Sequence, residues 1–219
     1  MNYRINEVFE TIQGEGFYTG TPAIFIRLQG CDVGCPWCDT KHTWEIHLED
    51  ERSLMQINQP SQDRNVWAHG DVASLVELVK GYQAKHVVIT GGEPCSYDLR
   101  PLTTQLHDAG YQCQIETSGT YPISVDSRSW VTVSPKIGMR GKKEVLAQAM
   151  TRADEVKHPV GRLADIEALE ALLERCPTAA KIALQPISQQ PRATQLCIET
   201  CIKNNWRLSV QLHKYIGVL

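Results

Sequence analysis

Two kinds of hydrophobic pattern alternate along most of the chain. Short apolar runs at 23–29, 86–92, 113–118, 130–135, 154–158, 181–186 and 207–213 predict strands. Longer stretches at 71–82, 99–108, 142–151, 163–175 and 192–205 carry apolar residues every three or four positions and predict amphipathic helices. Strands that alternate with helices pair in parallel, with the helices as crossovers. The expected fold class is therefore α/β, a single-domain partial (incomplete) β/α barrel.

Several predicted strands end in polar or glycine-rich runs: Gln29-Gly30-Cys31, Thr90-Gly91-Gly92-Glu93-Pro94, Glu116-Thr117-Ser118-Gly119, Ser134-Pro135-Lys136, Lys157-His158-Pro159 and Gln185-Pro186-Ile187-Ser188. Each alone is ordinary punctuation after a strand. Parallel sheets and barrels gather ligands at the carboxyl ends of their strands, so together the runs predict one shared site. Residues 45–70 interrupt the alternation with a polar stretch too long for a normal connection, which predicts a partner surface or a disordered insertion.

Composition narrows the function. With 22 basic and 25 acidic residues the net charge is −3, which favours a small-molecule substrate over nucleic acid or a membrane surface. No apolar run reaches the roughly 18 residues of a membrane span, and the first residues lack a signal-peptide core, so a cytoplasmic protein is expected. Of 8 cysteines, 3 cluster and the rest are scattered through apolar segments, which suits a reducing compartment. Cys197 and Cys201, four apart, read as small buried residues on one helix face rather than a second metal pair.

The clustered cysteines carry the chemistry. Cys31, Cys35 and Cys38 stand at C-x3-C-x2-C spacing directly after a predicted strand, with Gly30 and Gly34 free to bring backbone close to a bulky group. Three thiolates on a 4Fe-4S cluster would leave one iron open to another ligand. Two other readings of these residues stay open: cysteines that merely pack, and a Cys3His zinc site completed by His42.

Cys31, Cys35 and Cys38, with Trp37 before the last, and Gly91-Gly92-Glu93-Pro94 about fifty residues on, resemble the radical S-adenosylmethionine (SAM) enzymes. The resemblance implies the barrel type of that superfamily over residues 1–219, with 45–70 as a polar insertion within it. It also implies SAM chelated to the open iron and cleaved to a 5′-deoxyadenosyl radical. Trp37, Cys38, Asp39, Gly92 and Glu93, then Ser134, Pro135 and Lys136, then Gln185, Pro186, Ile187 and Ser188, are its implied SAM contacts.

A finer resemblance covers essentially the whole chain. Glu10-Thr-Ile-Gln-Gly-Glu-Gly16, Phe25-Ile-Arg-Leu-Gln-Gly-Cys31, Cys38-Asp-Thr-Lys41, Val88-Ile-Thr-Gly-Gly-Glu-Pro94 with Ile115-Glu-Thr-Ser-Gly119, and Gln211-Leu-His-Lys214 are similar to the 7-carboxy-7-deazaguanine synthases of queuosine and deazapurine biosynthesis. The implied reaction is a radical ring contraction of 6-carboxy-5,6,7,8-tetrahydropterin with loss of ammonia and recovery of SAM. The implied base contacts are Ile12, Gln13, Gly14, Glu15, Thr90 and Glu116, and Thr40 is the implied Mg2+ contact. A homodimer and an electron donor such as a flavodoxin follow from the same likeness. The carboxylate of Leu219 is a further candidate contact.

Arg27 can be argued from the residues themselves. It shares a strand face with Phe25 and Gln29, opposite Ile24, Ile26 and Leu28, and a buried guanidinium needs an anion. The substrate carboxylate supplies one; an internal bridge to Glu116 or Glu93 is the alternative. Two competing functions are a radical SAM activating enzyme that acts on a protein and a zinc-stabilised interaction module. The first would lack an Arg27-type clamp and carry extra ferredoxin cysteines, and neither expectation is met here; iron content under anaerobic preparation would exclude the second.

Overall fold

The computed structural model describes residues 2–58 and 64–218; Leu219 and part of the 45–70 stretch lie outside them. The elements in chain order are β1 (Asn2–Ile12), β2 (Pro22–Leu28), β3 (Glu51–Arg52), α1 (Leu54–Ile57), β4 (Trp67–Asp71), α2 (Val72–Lys80), β5 (His86–Gly91), α3 (Arg100–Asp108) and β6 (Gln112–Thr117). There follow β7 (Trp130–Val133), α4 (Ala147–Arg152), β8 (Glu155–Val160), α5 (Leu163–Arg175), β9 (Lys181–Pro186), α6 (Pro191–Asn204), β10 (Arg207–Leu208) and α7 (Leu212–Ile216).

Among the described residues, the ten strands form one unclosed sheet in the order β10-β9-β8-β7-β6-β5-β2-β1-β4-β3. From β2 through β5 to β10 every pairing is parallel. This is the expected partial barrel. Three strands, β1, β3 and β4, were not expected. β1 pairs antiparallel with both β2 and β4, so the N-terminal segment is an inner strand, and the end of the 45–70 stretch joins the sheet beside it. Among the described residues, therefore, the polar stretch is partly built into the sheet rather than wholly a loop. The expected strand at 207–213 is a two-residue strand followed by α7, and the helix expected from 142 begins at Ala147.

Period-2 alternation in the strands sorts side chains by face. Val87, Ile89, Cys113, Ile115, Val131, Val133 and Val156 pack outward against Leu75, Val79, Leu102, Leu106, Met150, Leu169 and Leu172 of the helices. Their neighbours in sequence, His86, Gln114, Thr132, Glu155 and Lys157, point the other way, and they too are buried. Cys197 and Cys201 sit in the outer core, as the helix-face reading expects. Among the described residues no helix is long and apolar enough to cross a membrane.

Candidate active site

The carboxyl ends of the parallel strands enclose a cavity of about 330 Å³, within the range of small-molecule sites. Its lining brings together Cys31, Cys35, Trp37, Cys38, Asp39 and Thr40 from the loop after β2. Thr90, Gly92 and Glu93 come from β5 and its end, Glu116 from β6, and Ser134 and Lys136 from the run after β7. Gln185, Pro186, Ile187 and Ser188 come from β9 and the turn after it, and Glu15 and Arg27 also reach the wall. Ile12, Gln13, Gly14 and Pro135 are not among the lining residues. Lys157, Gln211, Lys214 and Trp44 are; Lys157 stands at a strand end and Gln211 and Lys214 in the C-terminal motif, but the sequence assigns none of the four a role.

The cysteine end is positioned by backbone. Glycines 91 and 92 run so close to the end of β2 that Gly92 N–H donates to Leu28 O at 2.7 Å and Glu93 N–H to Gly30 O at 2.9 Å. A Cβ on Gly92 would stand 2.1 Å from Gly30 O, and one on Gly91 2.2 Å from Leu28 N, so neither position accepts a side chain without parting the two segments. The Gly-Gly pair thus fastens the start of the cysteine loop to Glu93. Gly30 and Gly34 both take positive φ, at 103° and 72°.

From the other side, Gly141 N–H donates to Val33 O at 3.0 Å, and Tyr121 and Lys143 both bind the Asp32 carboxylate. Glu93 is buried and receives the Thr117 hydroxyl at 2.6 Å, the Cys95 amide at 2.9 Å and the Ser118 amide at 2.8 Å. Its Oε2 holds one of these donors and keeps capacity to accept from a ligand.

Burial pushes the Cys31 thiol up to about 11 and also raises Cys35, with the Lys136 charge opposing the latter. Such thiols become ligands when a metal takes the place of the proton. An all-sulfur donor set suits iron–sulfur chemistry. Among the described residues no three His, Cys, Asp or Glu side chains are arranged to hold a single metal ion. His42 does not line the cavity, so a Cys3His site is not assembled. Cys38 Sγ and Thr40 Oγ1 lie 3.5 Å apart, which puts the hydroxyl beside the last cysteine.

The inner end is positioned by side chains. Lys157 Nζ lies 2.6 Å from Glu15 and 3.0 Å from Glu116, with its side chain 6% exposed. Gln211 donates to Glu15 at 2.9 Å and Lys214 donates to Gln211 at 2.7 Å, so the C-terminal segment closes this wall. Burial lifts Glu116, and the carboxylates of Glu15 and Glu155 outweigh enough of the Lys157 attraction to bring it to about 7. Burial acts the same way on Glu15, but there Lys157 and the Gln211 hydrogen bond prevail and hold it at about 2. One lysine between carboxylates of such different acidity is an arrangement seen where sites handle protons or polar edges.

Arg27 lies on the expected face, yet its partner is neither Glu116 nor Glu93. Its Nε donates to Glu7 of β1 at 2.6 Å, the residue opposite it in the β1–β2 register, and its guanidinium lies over Phe9. β1 was not recognised as a strand, so this partner was invisible in the sequence. Among the described residues the two terminal nitrogens of Arg27 have no hydrogen-bond partner, which leaves a fork for a bidentate anion.

No family model matches the chain. Over its full length it is 57% identical to the 7-carboxy-7-deazaguanine synthase of Escherichia coli K12, with 100% of both chains covered. It is 47% identical to the Buchnera aphidicola enzyme of the same name, again over 100% of both. A crystal structure of QueE from Escherichia coli matches with a TM-score of 0.94 at 57% identity, covering 97% of this chain and 95% of that one. With three cysteines and a Gly-Gly-Glu strand end facing a polar inner wall across one cavity, and relatives this similar from end to end, the chain belongs to the 7-carboxy-7-deazaguanine synthase family of radical SAM enzymes.

Proposed function

We propose that this protein is a ring-contracting radical SAM lyase that converts 6-carboxy-5,6,7,8-tetrahydropterin to 7-carboxy-7-deazaguanine with release of ammonia. The observation that carries the reading is a single cavity with a three-cysteine end and a carboxylate–lysine end, in a chain 57% identical to the Escherichia coli synthase throughout.

In this reading Cys31, Cys35 and Cys38 hold a 4Fe-4S cluster, and the fastened Gly92-Glu93 strand end receives the SAM amino group. Trp37 and Asp39 flank the adenine, while Ser134, Pro135 and Lys136 and residues 185–188 make further SAM contacts. When bound, the cluster and SAM supply the one-electron chemistry that makes a radical. The protein's own residues then bind and orient the pterin. Arg27 presents its terminal nitrogens to the pterin carboxylate, and Glu15, Thr90 and Glu116 read the base, with Ile12, Gln13 and Gly14, which do not line the cavity, as the main-chain strip leading to Glu15. Thr40 is the protein contact of a Mg2+ that arrives with the substrate carboxylate, a weak site consistent with one hydroxyl ligand.

Lys157 and Gln211 keep the two inner carboxylates in place, and Lys214 adds a cation at the rim. Enclosure at the strand ends keeps the reacting groups from bulk water. We also read the chain as one radical SAM core over residues 1–219 with 45–70 inserted in it. The protein would act in the cytoplasm as a homodimer, reduced by a flavodoxin-type donor.

Anaerobic reconstitution with iron and sulfide, followed by reductant, SAM, Mg2+ and 6-carboxytetrahydropterin, should give 7-carboxy-7-deazaguanine by mass spectrometry over many turnovers with SAM retained. Accumulation of 5′-deoxyadenosine without that product would keep the radical chemistry and reject the substrate. A protein that takes up no iron would reject both.

A further inference from the structure

Behind the inner wall one side chain ties its parts together. Gln114, in the middle of β6, is fully buried, and its amide is engaged by Glu116 on its own strand and from three other segments. Its Nε2 donates to Glu116 Oε1 at 2.9 Å and to Thr132 Oγ1 at 3.2 Å. Its Oε1 accepts from Gln13 Nε2 at 3.3 Å and from His86 Nε2 at 2.8 Å.

Every donor and acceptor of the amide is used, and the orientation is dictated by its neighbours. Thr132 commits its hydroxyl proton to Glu155 at 3.0 Å, so it can only accept from Gln114. The amide oxygen must then face His86, so that His86 Nε2 is the donor of this bond; burial lowers the pKa of the imidazole. Gln13 in turn accepts the Glu15 amide N–H on its Oε1 at 3.1 Å. One amide therefore holds the Glu116 carboxylate directly and the Glu15 main chain through Gln13, the two residues whose carboxylates flank Lys157.

We propose that Gln114 is a positioning residue for the substrate: it locks Glu116 and the Gln13–Glu15 strip into one rigid arrangement that reads the hydrogen-bond-donating edge of a flat heterocyclic base. The inference rests on the reading of the inner end as the pterin-binding half. Gln114 does not line the cavity, so its effect must pass through the residues it holds.

The test is steady-state kinetics of the reconstituted wild type, Gln114→Leu and the isosteric Gln114→Glu, with iron content and SAM binding measured on each. Gln114→Leu should raise KM for the pterin about tenfold or more, the scale of one hydrogen bond to a charged group, with a smaller change in kcat. Cluster content and SAM affinity should hold. Gln114→Glu places a carboxylate against Glu116 and should raise KM further.

Losing an N–H donor that favours ionised Glu116 should also move the acid limb of kcat/KM to higher pH. Lys157 and Glu155 of β8, Glu15 of the β1–β2 loop and Lys136 after β7, the charged groups facing Glu116, are unchanged by the substitution. Wild-type KM and pH profile in Gln114→Leu would overturn the proposal. So would loss of SAM binding together with pterin binding in both variants, since that marks a structural role. If the wild type itself fails on the pterin, the functional reading falls, and this inference with it.

Discussion

At the cysteine end of the cavity, groups are placed by main-chain hydrogen bonds between segments that glycines allow to touch; at the inner end they are placed by charged and amide side chains on a buried strand face. The difference matches what each end has to hold. A cofactor bound the same way in every turnover suits a rigid backbone frame, whereas a polar base is told from its look-alikes by buried side-chain donors and acceptors that go unpaired with the wrong ligand. It also means that the two ends should fail differently.

The sharpest break is at the backbone end. Gly92→Ala puts a methyl where Gly30 O stands, so it should abolish SAM cleavage as fully as Cys35→Ala; the check is 5′-deoxyadenosine formation and iron content after reconstitution. Near-normal SAM cleavage in Gly92→Ala would show that the close approach is not needed.

At the inner end the largest effect belongs to Lys157. Lys157→Met leaves Glu15, Glu116 and Glu155 buried without their cation, which should cost about 3–5 kcal/mol of stability and all pterin turnover. Thermal unfolding with and without SAM measures the first, product formation the second.

A subtler consequence concerns pH. Glu15, held at about 2 in the fold against an ordinary 4.5, adds stability that is lost as pH falls from 4.5 toward 2. Glu116, raised to about 7, has the opposite sign: the fold binds its proton more tightly than the unfolded chain, so stability falls as pH rises from 4.5 to about 7. In Glu116→Gln that downward slope should vanish from a plot of melting temperature against pH. A slope unchanged from wild type would place the proton elsewhere.

The smallest effect is expected at the rim of the cysteine loop. Lys143→Ala removes a half-buried partner of the exposed Asp32 while the Tyr121 hydrogen bond and the Gly141–Val33 bond remain, so cluster content and melting temperature should hardly move.

Much of this could be read in the sequence because its physics is local. The parallel strands announce themselves by alternation, and in β6 the order Gln112-Cys113-Gln114-Ile115-Glu116 already shows one polar and one apolar face. The cysteine spacing and the Gly-Gly-Glu-Pro run are short motifs with their chemistry in consecutive residues. What stayed hidden depends on contacts between distant segments. β1 carries Arg4, Glu7 and Glu10 among its apolar residues and reads as a polar terminus until β2 and β4 pair with it. With it went the Glu7 partner of Arg27. Gln211 and Lys214 were visible as part of a motif, but their reach across 196 residues from Gln211 to Glu15 is a property of the folded chain alone. Gln114 looked like any strand glutamine, and its four partners could be found only in three dimensions.

The claim that the two ends are separately built meets its most direct test in Arg27, which sits at the inner wall but on the strand that leads into the cysteine loop. SAM affinity and pterin affinity would be measured independently on anaerobically reconstituted Arg27→Ala. The account predicts unchanged SAM binding and pterin binding weakened by about tenfold or more, the worth of a charge-assisted pair. SAM affinity falling in step with pterin affinity, or pterin affinity left at the wild-type value, would contradict it.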